Sequence, residues 1–209
     1  MRLTSGRLFV AVLAALAVAG GAAGCAGRTT GHPGASPDPT GPVRTAGCAT
    51  HTSPPAMSID GTPQPANQEA LGEMADRITP RAEERYADVY AGLEMVQELD
   101  RLRVYRKPSK DFDAWILQDF RADCVELIDA PHSAVELKAL QDRIGSDMDY
   151  WAQQGVHIST IGSRVDGSAV EVGTVDVDRA KVELPKRYGT AIPIVVIEQG
   201  PVQPGVGHP

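Results

Sequence analysis

Between residues 26 and 66 the chain carries almost no large apolar side chain, so any packed core has to come from residues 67–199. The stretch runs through His32-Pro33-Gly34-Ala35-Ser36-Pro37-Asp38-Pro39-Thr40-Gly41-Pro42 and stays rich in Pro, Gly, Ser and Thr throughout. Such a composition buries too little surface to offset the conformational entropy of ordering it. Residues 25–66 are therefore expected to form a disordered tether with a mean reach of about 35 Å by random-coil scaling. Residues 200–209 are expected to be a frayed tail.

The segment ahead of this tether is of a different kind. Arg2 and Arg7 precede an unbroken apolar run from Leu8 to Ala19, closed by Gly20-Gly21-Ala22-Ala23-Gly24-Cys25. A basic start, a short apolar stretch and small residues before a cleavage point mark an export signal over residues 1–24, and the run is too brief for a permanent membrane span. Cys25 directly after Ala22-Ala23-Gly24 resembles the lipobox of a bacterial lipoprotein. That resemblance implies a Cys25 that is acylated, for example with palmitate, and becomes the new N-terminus. The mature protein is then held on the outer, extracytoplasmic face of the cell membrane, because several acyl chains anchor firmly where one is marginal.

Removal of Arg2 and Arg7 with the leader takes the formal charge from −7 to −9. An acidic chain with no basic cluster is a poor match for nucleic acid. With Cys25 acylated, the remaining thiols are Cys48 and Cys124, and an exported compartment allows them to oxidise. A structural disulfide is the expectation, worth about 4 kcal/mol for a loop of this size in the loop-entropy account. The alternative is a reactive or metal-binding thiol, but neither Cys has a second Cys or a His at ligand spacing.

Periodicity then lays out the folded part. Asn67 reads as an N-cap ahead of Leu71, Met74, Ala75 and Ile78, with Pro80 expected to interrupt the helix. Residues 90–96 and 101–106 read as a hairpin, residues 109–120 as a short helix with Phe112, Trp115, Ile116 and Phe120, and residues 124–128 as a strand. Ser133 with Glu136 three residues on is a capping box. It opens a long helix striped by Leu137, Leu140, Ile144, Met148 and Trp151, which Gly155 ends. Residues 156–161 and 169–175 form a second hairpin around Asp166-Gly167. Asp176 is expected to cap a helix that Pro185 kinks or stops. Residues 192–197, apolar on both faces, are expected to lie centrally in their sheet.

Residues 92–128 and 157–197 both run hairpin, helix, strand, which reads as a diverged ββαβ repeat dividing the domain into 67–130 and 131–199. The fold class is α+β, an antiparallel-rich sheet with helices on one face. One sheet is the preferred architecture and two small sheets the alternative. The C-terminal half becomes ferredoxin-like if strand 124–128 joins it.

No constellation meets the requirements of a reaction class, so no catalytic residue, metal site or cofactor is assigned. Asp129, His132 and Ser133 contain acid, base and hydroxyl, but sequence neighbours rarely take up the order of a triad, and Ser133 has a capping task. Trp115, Tyr150 and Trp151 are candidates for a stacking platform, although Trp151 falls on an apolar stripe. His132 and Trp151 are kept as candidate ligand residues. The elements between Ser133 and Ile197 resemble pieces of uncharacterised actinobacterial exported proteins. Their arrangement is also distantly similar to the pro-regions of alpha-lytic-type secreted serine proteases. What this resemblance implies is a non-catalytic module that meets another exported protein. The alternative reading is an envelope enzyme or small-ligand binder acting on wall polymer or peptide.

Overall fold

In the computed structural model, residues 42–51 and 56–201 are described, all within one compact unit, Pro39–Pro209. The expectations for the leader, for Cys25 and for the tail beyond residue 201 fall outside the described residues. In chain order the elements are β1 (Val43–Arg44), β2 (Ala56–Ile59), β3 (Thr62–Pro65), α1 (Gln68–Arg85), β4 (Tyr90–Val96), β5 (Arg101–Arg106), α2 (Lys110–Asp119) and β6 (Val125–Asp129). There follow α3 (Ala134–Ser146), α4 (Met148–Gln153), β7 (Ile158–Ser163), β8 (Val170–Thr174), α5 (Val177–Tyr188) and β9 (Ile194–Glu198). The class is α+β.

The repeat is visible as topology. In the first copy β4 and β5 pair antiparallel, α2 crosses over, and β6 returns parallel to β5. In the second β7 and β8 pair antiparallel, α5 crosses over, and β9 returns parallel to β8. Each copy opens with a helix, α1 or α3. Two sheets result, ordered β1-β6-β5-β4 and β7-β8-β9, with β2–β3 as a separate hairpin. The two-sheet alternative is therefore the one observed. Strand β6 cannot complete a ferredoxin-like second half, because β1 and β5 already occupy both of its edges.

Each sheet buries one face against helices. Leu102 and Val104 of β5 and Val125 and Leu127 of β6 pack with Leu71 and Ile78 of α1 and Phe112 and Ile116 of α2. Val170 and Val172 of β8 pack with Leu137, Leu140 and Ile144 of α3, Trp151 of α4 and Ala180 and Leu184 of α5. The strict alternation of β5, with Leu102, Val104 and Arg106 buried and Arg101, Arg103 and Tyr105 half-exposed, is the period of two expected of a strand with a single core face.

Several local expectations are corrected. Helix α1 runs through Pro80 without ending there. The Asn67 side chain does not cap it, but donates to the Gln97 carbonyl and to Asp100 Oδ1 at 2.9 and 2.8 Å. The helix opened by the Ser133–Glu136 capping box forms as read but breaks at Asp147, leaving Trp151 in the separate α4. The Asp176 side chain makes no cap bond to α5, since its carboxylate accepts from the His157 backbone N–H at 2.8 Å.

Order also begins before Asn67. Val43 and Arg44 pair with Leu127 and Glu126, and the Thr45 hydroxyl donates to the Asp123 carbonyl at 2.6 Å and accepts from the Val125 N–H at 2.8 Å. Cys48 and Cys124 are disulfide-bonded, 76 residues apart. A short polar segment that cannot make a core of its own is thus held on the edge of one. The two repeats meet where the β7–β8 turn reaches the end of β6. Gly167 sits there at φ 71°, and a Cβ on it would lie 2.8 Å from Ala130 Cβ and 3.0 Å from Ala91 Cβ. Only glycine fits both the backbone and the space.

Candidate interaction surface

Of the residues singled out for chemistry, Asp129, Ser133, Trp115 and Trp151 are committed elsewhere, while Tyr150 of the candidate platform is 39% exposed. Asp129 pairs with the buried Arg106 guanidinium, which also grips Asp113 of α2 through two bonds of 2.7 and 3.0 Å. Ser133 caps α3, with its hydroxyl on the Glu136 N–H and the Glu136 carboxylate on the Ser133 N–H. His132 is half-buried and its carbonyl abuts Gly167, so Asp129, His132 and Ser133 form no relay. Trp151 is 1% exposed, and its indole N–H donates to the Tyr188 hydroxyl at 2.8 Å. It is a core residue and not a platform. Trp115 is likewise buried and stacks on Tyr86. Among the described residues no group of three or more His, Cys, Asp or Glu is placed to hold a metal ion.

Polar networks on the surface serve packing. Asp147, between α3 and α4, accepts from Arg187 Nε at 2.8 Å and from the Tyr188 hydroxyl at 2.7 Å, tying α5 to α4. Those two donors, Arg187 first, hold its carboxyl below the usual range, and burial with the Asp147 charge pushes the Tyr188 hydroxyl up. On the outer face of the first sheet, Glu94, Arg103, Glu126 and Arg44 stand in one register row across β4, β5, β6 and β1. The row alternates in charge. Glu126 lies beneath Arg44, Arg101 and Arg103, with only 3% of its side chain exposed.

The second sheet is different. Its outer face consists of two register rows, Gly162–Glu171–Val195 and Thr160–Gly173–Ile197. The Gln199 side chain crosses above Gly173 to accept from the Thr160 hydroxyl at 2.7 Å, a path that a Cβ on Gly173 would block. Val195 and Ile197 stay half-exposed beside these small neighbours.

Strand β9 is also an edge. The expectation that residues 192–197 lie centrally is corrected, because β9 pairs with β8 alone and packs against α5. Alternation is missing because one face of β9 packs on the core through Ile194 and Val196, while Val195 and Ile197 on the other are only half-exposed. The other long edges are blunted. Strand β7 is bulged between Ile158 and Thr160 and bound to α3 through Ser163 and Gln141. Strand β4 is irregular between Tyr90 and Gly92, with α1 and α3 packed against it. From Ile194 to Glu198, β9 has no proline or bulge, and what tempers this edge is its short length, the charge of Glu198 at its end and the packing of α5 against it. The equivalent edge of the first repeat, that of β6, is covered by the antiparallel strand β1. No strand among the described residues does this for β9.

No family model matches the chain, and no curated protein matches it. Among solved structures it is similar to one described as the structure of the PrgH periplasmic domain, at 15% identity over 62% of this chain and 74% of that chain, with a TM-score of 0.25.

Proposed function

We propose that this protein is a membrane-anchored, non-enzymatic lipoprotein of the cell envelope, acylated on Cys25, whose α+β domain contacts another exported protein through the free edge of β9. The observation that carries the reading is a largely apolar edge strand that no other strand covers among the described residues. Strand addition at such an edge draws affinity from main-chain hydrogen bonds and specificity from alternate side chains. In support, the groups that sequence offered for chemistry, Asp129, Ser133 and Trp151, are consumed by an ion pair, a helix cap and the core. The Cys48–Cys124 bridge suits an oxidising compartment.

Two measurements test this. Cys25→Ala is expected to move the protein from the membrane fraction to the soluble exported fraction, and unchanged membrane partition removes the anchor from the account. A photo-cross-linker at position 195 of the anchored full-length protein is expected to trap a protein at the β9 edge. Trapping there no better than at position 138, on the solvated side of α3, defeats the contact role.

A further inference from the structure

We propose that the occupant of the β9 edge is a second copy of this chain, its β9 lying antiparallel to the first about a two-fold axis at Val196, so that two three-stranded sheets join into one of six. This rests on the reading of β9 as the contact edge and names its partner. The Val170 N–H donates to the Pro193 carbonyl and the Gln199 N–H to the Thr174 carbonyl, which directs the backbone of residues 193, 195, 197 and 199 toward β8. Parity then turns the N–H and C=O groups of Ile194, Val196 and Glu198 outward. A two-fold axis at Val196 sets Val196 against its own counterpart and Ile194 against Glu198 of the other copy. All of these are hydrogen-bonded pairs, giving roughly six backbone bonds.

The side chains agree with that register. On the open face Val195 comes opposite Ile197 of the other copy, twice, which sets the two half-exposed apolar strips side by side as cross-strand pairs. On the helix face, the flank formed by β9 and α5 is net acidic at one end, where Asp176, Asp178 and Glu198 outnumber Arg179, and carries Lys181 and Lys186 further along α5, Lys186 being paired with Glu183. Antiparallel pairing sets each acidic end toward the lysines of the other copy. A groove of about 670 Å³ runs along this flank, between Val175, Lys181 and Val196, where the flank of the other copy is received.

The fold supplies its own precedent, since β1 covers the corresponding edge of the first repeat in the same antiparallel sense. Because β7 at the other side of the sheet is bulged and bound to α3, the pairing closes at two copies and does not propagate.

The test measures the mass of the full-length, processed protein in detergent by sedimentation equilibrium across a dilution series, with fold checked by circular dichroism. Wild type is expected to be a dimer. V195K/I197K places like charges directly opposite one another across the axis and is expected to raise the dimer dissociation constant about tenfold or more. V195K/I197E carries the same number of charges but sets opposite signs face to face, and is expected to remain dimeric. A wild type that is monomeric throughout overturns the second copy. If V195K/I197K then also loses a foreign envelope protein cross-linked at position 195 in wild type, the edge reading survives with a different occupant. A dimer lost equally in both variants overturns the two-fold register. One that persists in both places self-association elsewhere, and overturns this proposal and the edge reading together.

Discussion

Glu126 shows what a single residue does when a sheet's register brings charges into line. Its carboxylate lies among three guanidinium groups, with Arg44 Nε 2.8 Å and Arg103 Nε 3.3 Å away, and it is nearly sealed from solvent. Half of the Arg44 side chain stays in water, whereas Arg101 is 17% exposed. Exposed ion pairs contribute little, and removing one member of a buried set strands the others. Glu126→Gln is therefore expected to lower stability by about 2 kcal/mol, and Arg44→Ala by less than about 1 kcal/mol, in urea unfolding monitored by tryptophan fluorescence. Equal losses would mean that the arginines are held by solvent and not by Glu126. Nothing local in Cys124-Val125-Glu126-Leu127-Ile128 announces this cluster, because the row depends on which strands neighbour β6. His132 and Trp151 were legible only as residue types. Trp151 on an apolar stripe did point to the core, and the Tyr188 hydroxyl that satisfies its indole is 37 residues away.

At the scale of elements, signals complete within one turn of chain were readable and signals requiring a partner were not. The Ser133–Glu136 box forms with both reciprocal bonds, and the alternation of β5 matches its burial residue by residue. Asn67 and Asp176 carry good cap side chains, yet each is taken by a more distant group, Gln97 with Asp100 in one case and His157 in the other. An all-apolar strand reads as central because both faces are greasy, but β9 has the same composition at an edge, with Val195 and Ile197 half-exposed on its outer face. The break at Asp147 also depends on distant residues, since Arg187 and Tyr188 of α5 clasp its carboxylate at the start of α4. Those donors hold the folded pKa of Asp147 below its ordinary 3.8. The clasp is therefore present in full above pH 3.8 and fades as pH falls through the lower folded value. Asp147→Asn is expected to lower the thermal midpoint near neutral pH, with the gap from wild type narrowing below pH 3.8. A gap that stays constant with pH would assign the loss to shape and not to charge.

For the whole molecule, the disulfide decides where the folded body begins. Sequence composition placed that boundary near Asn67, since residues 42–51 have Val43 as their one large aliphatic side chain, but order there comes from bonds to the rest of the chain. Thr45 and Gly47 bond to the backbone of Asp123, Val125 and Arg121, His51 reaches Asp100 at 2.7 Å, and Cys48 is bridged to Cys124. Each hydrogen bond is worth about 1 kcal/mol net, too little alone to hold ten residues whose backbone costs about 1 kcal/mol apiece to fix. The bridge, closing 76 residues of chain, contributes about 4 kcal/mol through the unfolded ensemble and tips that balance. Cys48→Ser with Cys124→Ser is therefore expected to do two separable things. Global stability falls by about 4 kcal/mol or less in denaturant. In native-state hydrogen exchange, the Thr45 and Gly47 amides lose protection long before those of β8, because the segment peels off an intact sheet and exposes the β6 edge. If the two sets of amides lose protection together, residues 42–51 are an integral strand of the fold and not a segment pinned to it by sulfur.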